Sequence, residues 1–401
     1  MATATADGLG NSNDRVRRHN LSVVLRLVHQ SRGVARSSLT RQTGLNRSTI
    51  AALVGELVER KLVVEAEPDA SRQVGRPSPI ALPAPQAVAI AVNPEIDAIT
   101  VAVVGLGGTV LKRLRRPVAT VPTVAEAVSE ASDAVAELVR EFGKTHTIVG
   151  IGLAVPGLVR ARDGVVRLAP HLGWVDEPVA EALDSATGYS VRAANDANVG
   201  TIAESIFGAG RGVADLIYLN GGASGIGGGI ISAGRVLGGV DGYAGEFGHT
   251  LVNTAGVACH CGASGCLETE VRRDRLLALL KISDADNDEL EAALTASTDP
   301  DVRQEVERQL DFLAVALRNA INTLNPSKVI LGGFLSSLYA VAPGHLNAQV
   351  ASQPLLAPRE SVTIVRSELA ENRLMIGAAE LALEPILDDP TRFGTISPRS
   401  S

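Results

Sequence analysis

Apolar residues follow two different rhythms along this chain. Near the N-terminus they repeat with helical spacing. Asn20-Leu-Ser-Val-Val-Leu-Arg-Leu-Val-His29 reads as one helix, and Ile50, Leu53, Val54 and Leu57 fall at i, i+3, i+4 and i+7 of another. Between them, Ser37–Thr43 reads as a short helix stopped by Gly44. Asn46 is placed to cap the helix whose first turn is Arg47, Ser48 and Thr49. Two strand-like runs follow, Leu62–Glu65 and Pro79–Leu82, which can pair as a hairpin. From about Gln86 the rhythm changes. Short apolar runs (Val88–Val92, Ile99–Val104, Val149–Val155, Leu216–Leu219, Gly229–Ile231, Val329–Leu331) alternate with amphipathic stretches (Val124–Phe142, Val199–Phe207, Asp301–Leu324). That alternation predicts an α/β body.

With Ile50, Leu53, Val54 and Leu57 facing a core, Arg47, Ser48, Ala51, Ala52 and Gly55 are left on the outer face. Small residues let such a helix sit deep in a DNA major groove, and Arg47 and Ser48 can reach bases or phosphates. The hairpin tip would hold Arg72 and Arg76, suited to phosphates or a minor groove. Three helices and a hairpin resemble the winged helix-turn-helix of bacterial repressors. Candidate DNA contacts are Ser37, Ser38, Arg47, Ser48, Thr49, Arg72 and Arg76. Charge agrees: residues 1–80 hold 12 Lys/Arg against 7 Asp/Glu, while the remainder holds 25 against 37. A basic head on an acidic body favours a polyanion at the head alone.

Composition narrows the picture. Hydrophobic residues make up 45% of the 401 and aromatics 3%, so the core must be aliphatic. No apolar run reaches the ~18 residues of a membrane helix, and the N-terminus has no apolar signal core. The expected location is the cytoplasm. All three cysteines lie within eight residues, at Cys259, Cys261 and Cys266, with His249 ten positions before the first. An odd number of clustered thiols argues for metal over disulfides. Three thiols and an imidazole are the ligand set of a closed, structural zinc site, one Zn²⁺ per chain.

Several motifs then occur in a fixed order: Val155-Pro-Gly157, Asn195-Asp-Ala-Asn198, Ala223-Ser-Gly-Ile-Gly-Gly-Gly229, Ala244-Gly-Glu-Phe-Gly-His249, and the cysteine segment ending Gly265-Cys-Leu-Glu268. In this order they resemble the ROK family (repressor, open reading frame, kinase) of sugar kinases and sugar-responsive transcription factors. The resemblance implies an actin-like, ribonuclease-H-like two-lobed fold with a sugar cleft. It implies that Asn195, Asp196, Glu246, His249 and Glu268 grip sugar hydroxyls, with Asp196 at the position of the kinases' general base. His249 would bind zinc through one ring nitrogen and offer the other to the sugar. The expected boundaries are a disordered tail at 1–13, the winged domain at 14–82, and the ROK domain at 86–385. Within the last, lobe one covers about 86–195 plus a C-terminal helix at about 370–385, and lobe two about 196–369. Residues 386–401 form a flexible tail.

Departures from the family pattern bear on activity. Its kinases carry Asp-x-Gly-Gly-Thr after the first strand. Here Asn93 stands for the acid, and Glu95 and Ile96 for the two glycines. Side chains there block the backbone approach that a phosphate cradle needs. Gly107-Gly108-Thr109 follows the second strand and reads as a hairpin turn. Ala223 and Phe334 replace glycines in the later nucleotide turns, and His171 stands where asparagine is usual. The expected protein is therefore not an enzyme but a sugar-responsive regulator, in the first instance a repressor. Its expected partners are a palindromic double-stranded operator, a sugar or sugar-phosphate effector, and itself, as a homodimer or dimer of dimers. A hexose kinase carrying a DNA-binding head is the alternative.

Overall fold

Leu21, Val24, Leu25 and Val28 are all fully buried, and this one apolar stripe defines the core face of helix α1, Ser12–Ser31. A computed structural model describes residues 12–67, 78–222 and 225–394. After α1 come β1 (Val34–Ala35), α2 (Arg36–Thr43), α3 (Arg47–Glu59), β2 (Val63–Ala66) and β3 (Ile80–Pro83). Gly44 ends α2 in the left-handed conformation, φ 73°. Asn46 caps α3 by accepting from the Thr49 N–H at 2.8 Å. Strand β3 pairs antiparallel with β2, from Val63↔Pro83 to Ala66↔Ile80, and with β1 on its other side. This is the expected three-helix head with a hairpin wing. Arg72 and Arg76, expected at the hairpin tip, lie outside the described residues.

The chain forms two compact units. One takes in Met1–Ala154, Pro178–Ala193 and Ala378–Ser401, the other Val155–Glu177 and Ala194–Gly377. In the first, strands β4 (Ala87–Pro94), β5 (Ala98–Gly105) and β6 (Thr109–Pro117) form an antiparallel meander, with β7 (Thr147–Val155) added parallel to β4. Helix α4 (Val124–Phe142) crosses between β6 and β7, starting from a Thr123–Glu126 capping box. Strands β4 and β5 are buried throughout. The edge strand β6 alternates in exposure and carries Lys112, Arg113, Arg115 and Arg116, charges that deter pairing with another chain. In the second unit, β8 (Leu158–Val159), β9 (Val166–Ala169) and β10 (Trp174–Glu177) make a small sheet. Helix α5 (Val179–Thr187) returns to the first unit, where β11 (Val191–Asn195) completes a five-stranded sheet in the order β11-β7-β4-β5-β6.

Helix α6 (Asp196–Phe207) leads to the second large sheet: β12 (Leu216–Gly222), β13 (Gly225–Ser232) and β14 (Arg235–Val236). Helices α7 (Leu267–Glu270), α8 (Arg273–Leu280), α9 (Asn287–Ala296) and α10 (Pro300–Leu324) follow, then β15 (Lys328–Gly333) and α11 (Phe334–Val341). Helices α12 (Pro343–Ser352) and α13 (Leu356–Ser361), strand β16 (Thr363–Arg366) and helix α14 (Arg373–Asp388) complete the described chain. This sheet runs β14-β13-β12-β15-β16, with an antiparallel hairpin on one side of β12 and parallel strands on the other. Counted in chain order within each sheet, both read 3-2-1-4-5. An aliphatic cluster including Leu219, Leu310, Leu313, Leu317, Leu331 and Leu335 packs α10 and α11 on the second sheet.

Several boundaries differ from the sequence reading, and residues 370–377, expected with lobe one, group with the second unit. Val155–Glu177 groups with the second unit, although it was expected in lobe one. Residues 386–394 are not a flexible tail. Helix α14 runs through Pro385 to Asp388, Ile386 and Leu387 are fully buried, and Pro390–Arg392 forms a further 3-10 turn. The helix likewise begins at Ser12, inside the segment expected to be disordered. Among the described residues no helix is long and apolar enough to cross a membrane.

Candidate functional site

Five positions, Asn195, Asp196, Glu246, His249 and Glu268, line a single cavity of about 340 Å³ within the second unit. Local structure explains how each is held. Asn195 caps α6, with its Oδ1 accepting from the N–H groups of Ala197 at 2.8 Å and Asn198 at 3.1 Å. Its Nδ2 donates to the Gly157 carbonyl at 2.9 Å, tying the Val155-Pro-Gly157 turn to the helix start. Asp196 opens the same helix, and one of its oxygens accepts from the Ala197 N–H at 2.8 Å. Glu246 and His249 flank a single 3-10 turn, Phe247–His249. Gly248 lets that turn press on β13, since a Cβ there would lie 2.0 Å from the Ile226 carbonyl oxygen. Cys266 precedes the first residue of α7, which places Glu268 in that helix's first turn.

The acids crowd one another. Burial first, then the charges of Asp196 and Glu268, push the Glu246 carboxyl above its ordinary value. A site with three converging carboxylates is matched to a ligand that donates hydrogen bonds, such as vicinal hydroxyls. Two polar wall residues were not among the site residues singled out in the sequence, His260 and Asn220. His260 Nδ1 lies 3.2 Å from Glu268 Oε1, and its ring meets His249 edge to face at 5.2 Å between centroids. It was readable only as the residue between two cysteines. His171 also lines the cavity, 6.4 Å from His260 between ring centroids.

The four residues expected to hold metal converge. Ligand atoms of His249, Cys259, Cys261 and Cys266 all lie within 4.8 Å of one another. Cys259 Sγ is 3.7 Å from His249 Nδ1, and Cys261 Sγ is 3.7 Å from Cys266 Sγ. A tetrahedron with metal–sulfur bonds of about 2.3 Å has edges near 3.8 Å, so this set fits an ion. Burial pushes the Cys259 thiol up to about 12 and also raises Cys266. Those buried thiols are neutral without a cation, and a bound dication reverses that preference. His249, His260 and Glu268 form a second group within the same limit. It shares His249 with the first, and two thiols of the first set are buried.

Other segments bear on phosphate chemistry. In the first unit, Asn93 is buried on β4 opposite Thr100. The β4–β5 turn closes with the Glu95 N–H donating to the Ala98 carbonyl at 2.8 Å, and Asp97 pairs with Arg115 at 2.5 Å. Burial, then the neighbouring Asp97, raises the Glu95 carboxyl. In the second unit, Phe334 is 1% exposed within the aliphatic core. Its ring covers Gly221, where a Cβ would come within 2.5 Å of a ring carbon. Ala223 and Ser224 lie outside the described residues. Gly107 and Gly108 form the β5–β6 turn, with the Gly108 N–H donating to the Gly105 carbonyl at 3.1 Å, as expected of a hairpin.

On the head, Arg47, Ser48 and Ala52 are exposed on α3, opposite buried Ile50, Leu53, Val54 and Leu57. Ser48 Oγ donates to the cap oxygen of Asn46 at 2.8 Å, while Thr49 is half-buried. Ser37 is exposed on α2 and its N–H donates to Ser78 Oγ at 3.2 Å, while Ser38 is half-buried.

A helix-turn-helix head, two sheets of ribonuclease-H order and a carboxylate-rich cavity beside a thiol cluster define a regulator-type member of the actin-like sugar-kinase class. The chain belongs to the ROK family, whose model matches residues 90–385. It is 25% identical over 376 residues to the xylose repressor of Bacillus subtilis, covering 93% of this chain and 97% of that protein. A crystal structure described as a ROK family transcriptional regulator, homologous to the Escherichia coli MLC protein, superposes with a TM-score of 0.76 at 24% identity. It covers 94% of this chain and 98% of its own. The ROK hexokinase of Thermus thermophilus superposes with a TM-score of 0.62 at 27% identity, over 75% of this chain and 99% of its own.

Proposed function

We propose that this chain is a cytoplasmic, sugar-responsive transcriptional repressor. Its head binds an operator, and its ROK body takes a sugar or sugar derivative that alters operator affinity. The observation that carries the reading is one cavity lined by Asn195, Asp196, Glu246, His249 and Glu268 in a chain that also has a capped, outward-facing α3. The match to the xylose repressor over nearly both full lengths supports it.

The metal is zinc, held by His249, Cys259, Cys261 and Cys266. Four protein ligands leave no open position, so it activates no water. Its role is to brace the segment from Glu246 to Glu268, which supplies three of the five cavity residues. Asp196 and Glu268 accept from sugar hydroxyls, Asn195 fixes the turn beneath them, and the second nitrogen of His249 faces the ligand. His171 and His260 narrow the choice of sugar at the wall they share.

Phosphoryl transfer is not part of this function. Glu95 and Ile96 stand where phosphate would approach a glycine backbone, and Phe334 fills the later turn with a core side chain. Repeating subunits, as a dimer or dimer of dimers, would present two heads to a palindromic operator, with half-sites about one helical turn or a multiple apart. The effector acts only through its different affinity for two states of the regulator.

The deciding experiment measures operator affinity by fluorescence anisotropy across a panel of pentoses, hexoses, N-acetylhexosamines and their phosphates. One sugar should shift affinity at least tenfold, and Asp196→Ala should abolish the shift without changing affinity in its absence. Arg47→Ala should weaken binding by about 1–3 kcal/mol. Hexose-dependent ADP release abolished by Asp196→Ala would instead identify a kinase.

A further inference from the structure

Helix α1 presents a second, polar stripe, Ser22, Arg26 and His29, with Arg32 just past its last residue. The first three meet the last turns of α14 in antiparallel order. Ser22 Oγ donates to the Leu387 carbonyl at 2.6 Å. Arg26 donates to Glu384 at 2.8 Å and to Asp388 at 2.7 Å. His29 Nε2 faces both oxygens of Glu380, at 3.1 and 3.0 Å. At the inner end of this seam His29 and Glu380 are 1% and 4% exposed.

The other nitrogen of His29 fixes the chemistry of the pair. The Gly107 N–H donates to His29 Nδ1 at 2.9 Å, so Nδ1 carries no proton. Nε2 then carries it and donates to the Glu380 carboxylate. The Gly107 carbonyl accepts from Arg32 Nε at 3.0 Å, so one turn of the β5–β6 hairpin is held at both its polar atoms by the end of α1 and the residue that follows it. Gly107 has φ +81°, and a Cβ there would lie 3.2 Å from Pro83 Cγ at the end of the wing. Three pieces distant in sequence meet at a single imidazole: the head's first helix, the hairpin of the first sheet, and the C-terminal helix.

A contact that served only stability would be better made of apolar residues, because a buried carboxylate is costly unless every partner is in place. What a polar seam adds is register. A slip of one helical turn would set an arginine, Arg26 or Arg32, toward Glu380 in place of His29 and leave the Gly107 N–H no acceptor, a mismatch that apolar packing would not register. We propose that His29 and Glu380 are positioning residues that lock the DNA-binding head onto the rest of the first unit in one register, so that the body dictates where α3 lies. The inference rests on the DNA-binding reading above and adds how the head is aimed.

The test uses the full-length chain and duplexes recovered with it by selection from a random pool, then re-made with inserted base pairs between half-sites. Wild type should discriminate sharply between spacings. Glu380→Ala and His29→Ala should reduce that discrimination at least tenfold, while affinity for an isolated half-site stays within twofold. Glu380→Gln retains an acceptor for His29 Nε2–H and should restore discrimination. Unchanged discrimination in Glu380→Ala overturns the proposal, as does an equal loss on the isolated half-site. Should selection recover no duplex, the DNA-binding reading fails, and the lock is read by hydrogen exchange. Glu380→Ala should then speed exchange in peptides covering 20–32 and 378–388 at least tenfold and leave the 47–59 peptide unchanged. Exchange that does not rise in the two seam peptides overturns the lock on its own.

Discussion

Asn195 donates to the Gly157 carbonyl at 2.9 Å while its own carbonyl caps α6. One side chain therefore holds the helix start that carries Asp196 and the turn that forms the facing wall. Asn195→Ala should cost about 1–2 kcal/mol of stability from the lost cap and also weaken sugar binding. Asn195→Asp keeps the capping oxygen but sets carboxylate against the Gly157 carbonyl, so it should bind sugar poorly with a smaller loss of stability. Thermal melts and calorimetry together separate the two. Equal effects of both variants on sugar affinity and melting would contradict this division of labour.

Metal loss should undo the cavity as well as the thiol cluster. Cys259→Ser is expected to lose its zinc, to lose about 4 kcal/mol or more of stability, and to lose sugar binding with it. Elemental analysis and calorimetry of the purified variant check this. A variant that is metal-free yet binds sugar normally would show that the brace is unnecessary.

Glu246 gives a pH signature. Its carboxyl is raised by burial and by Asp196 and Glu268, so the folded state binds its proton more tightly than the unfolded chain does. The stability this contributes is fully present below the ordinary carboxylate value and is lost as pH rises through the elevated folded value. Glu246→Gln should therefore melt higher than wild type near neutrality, with the advantage vanishing in acid, and should bind sugar more weakly. A variant less stable at neutral pH would mean that Glu246 is satisfied by partners other than ligand.

Phe334 predicts the failure of a simple reversion. Replacing Glu95 and Ile96 by glycine restores a bare backbone at one turn but leaves the ring over Gly221 in place. This double variant should still release no ADP with any hexose in a coupled assay. Phe334→Gly removes a fully buried aromatic and should cost about 3–5 kcal/mol. Turnover by the double variant alone would place the block elsewhere.

Much of this was legible before folding. Cap, glycine stop and i, i+3, i+4, i+7 spacing located α2 and α3 because those signals are local. The four candidate metal ligands lie within eighteen residues, so their convergence needed only one loop. The matching order of the two sheets was not legible, since buried strands read as undifferentiated apolar runs whichever neighbour they pair with. Pro385 and the serine- and threonine-bearing end suggested a tail, but Ile386 and Leu387 continue the buried face of α14. His260 was overlooked because its partner Glu268 acts across a turn. His29 reads as an ordinary helix-terminal histidine until Glu380, 351 residues away, is brought beside it.

His249 stands in both the thiol cluster and the cavity wall. A ring shared in this way makes two equilibria inseparable. With the proposed zinc bound, linkage requires the factor by which it strengthens sugar binding to equal the factor by which sugar tightens the hold on it. Chelator competition with and without sugar would measure the same coupling as calorimetry with and without metal. In a cell short of zinc, the regulator would read a given sugar concentration as a lower one.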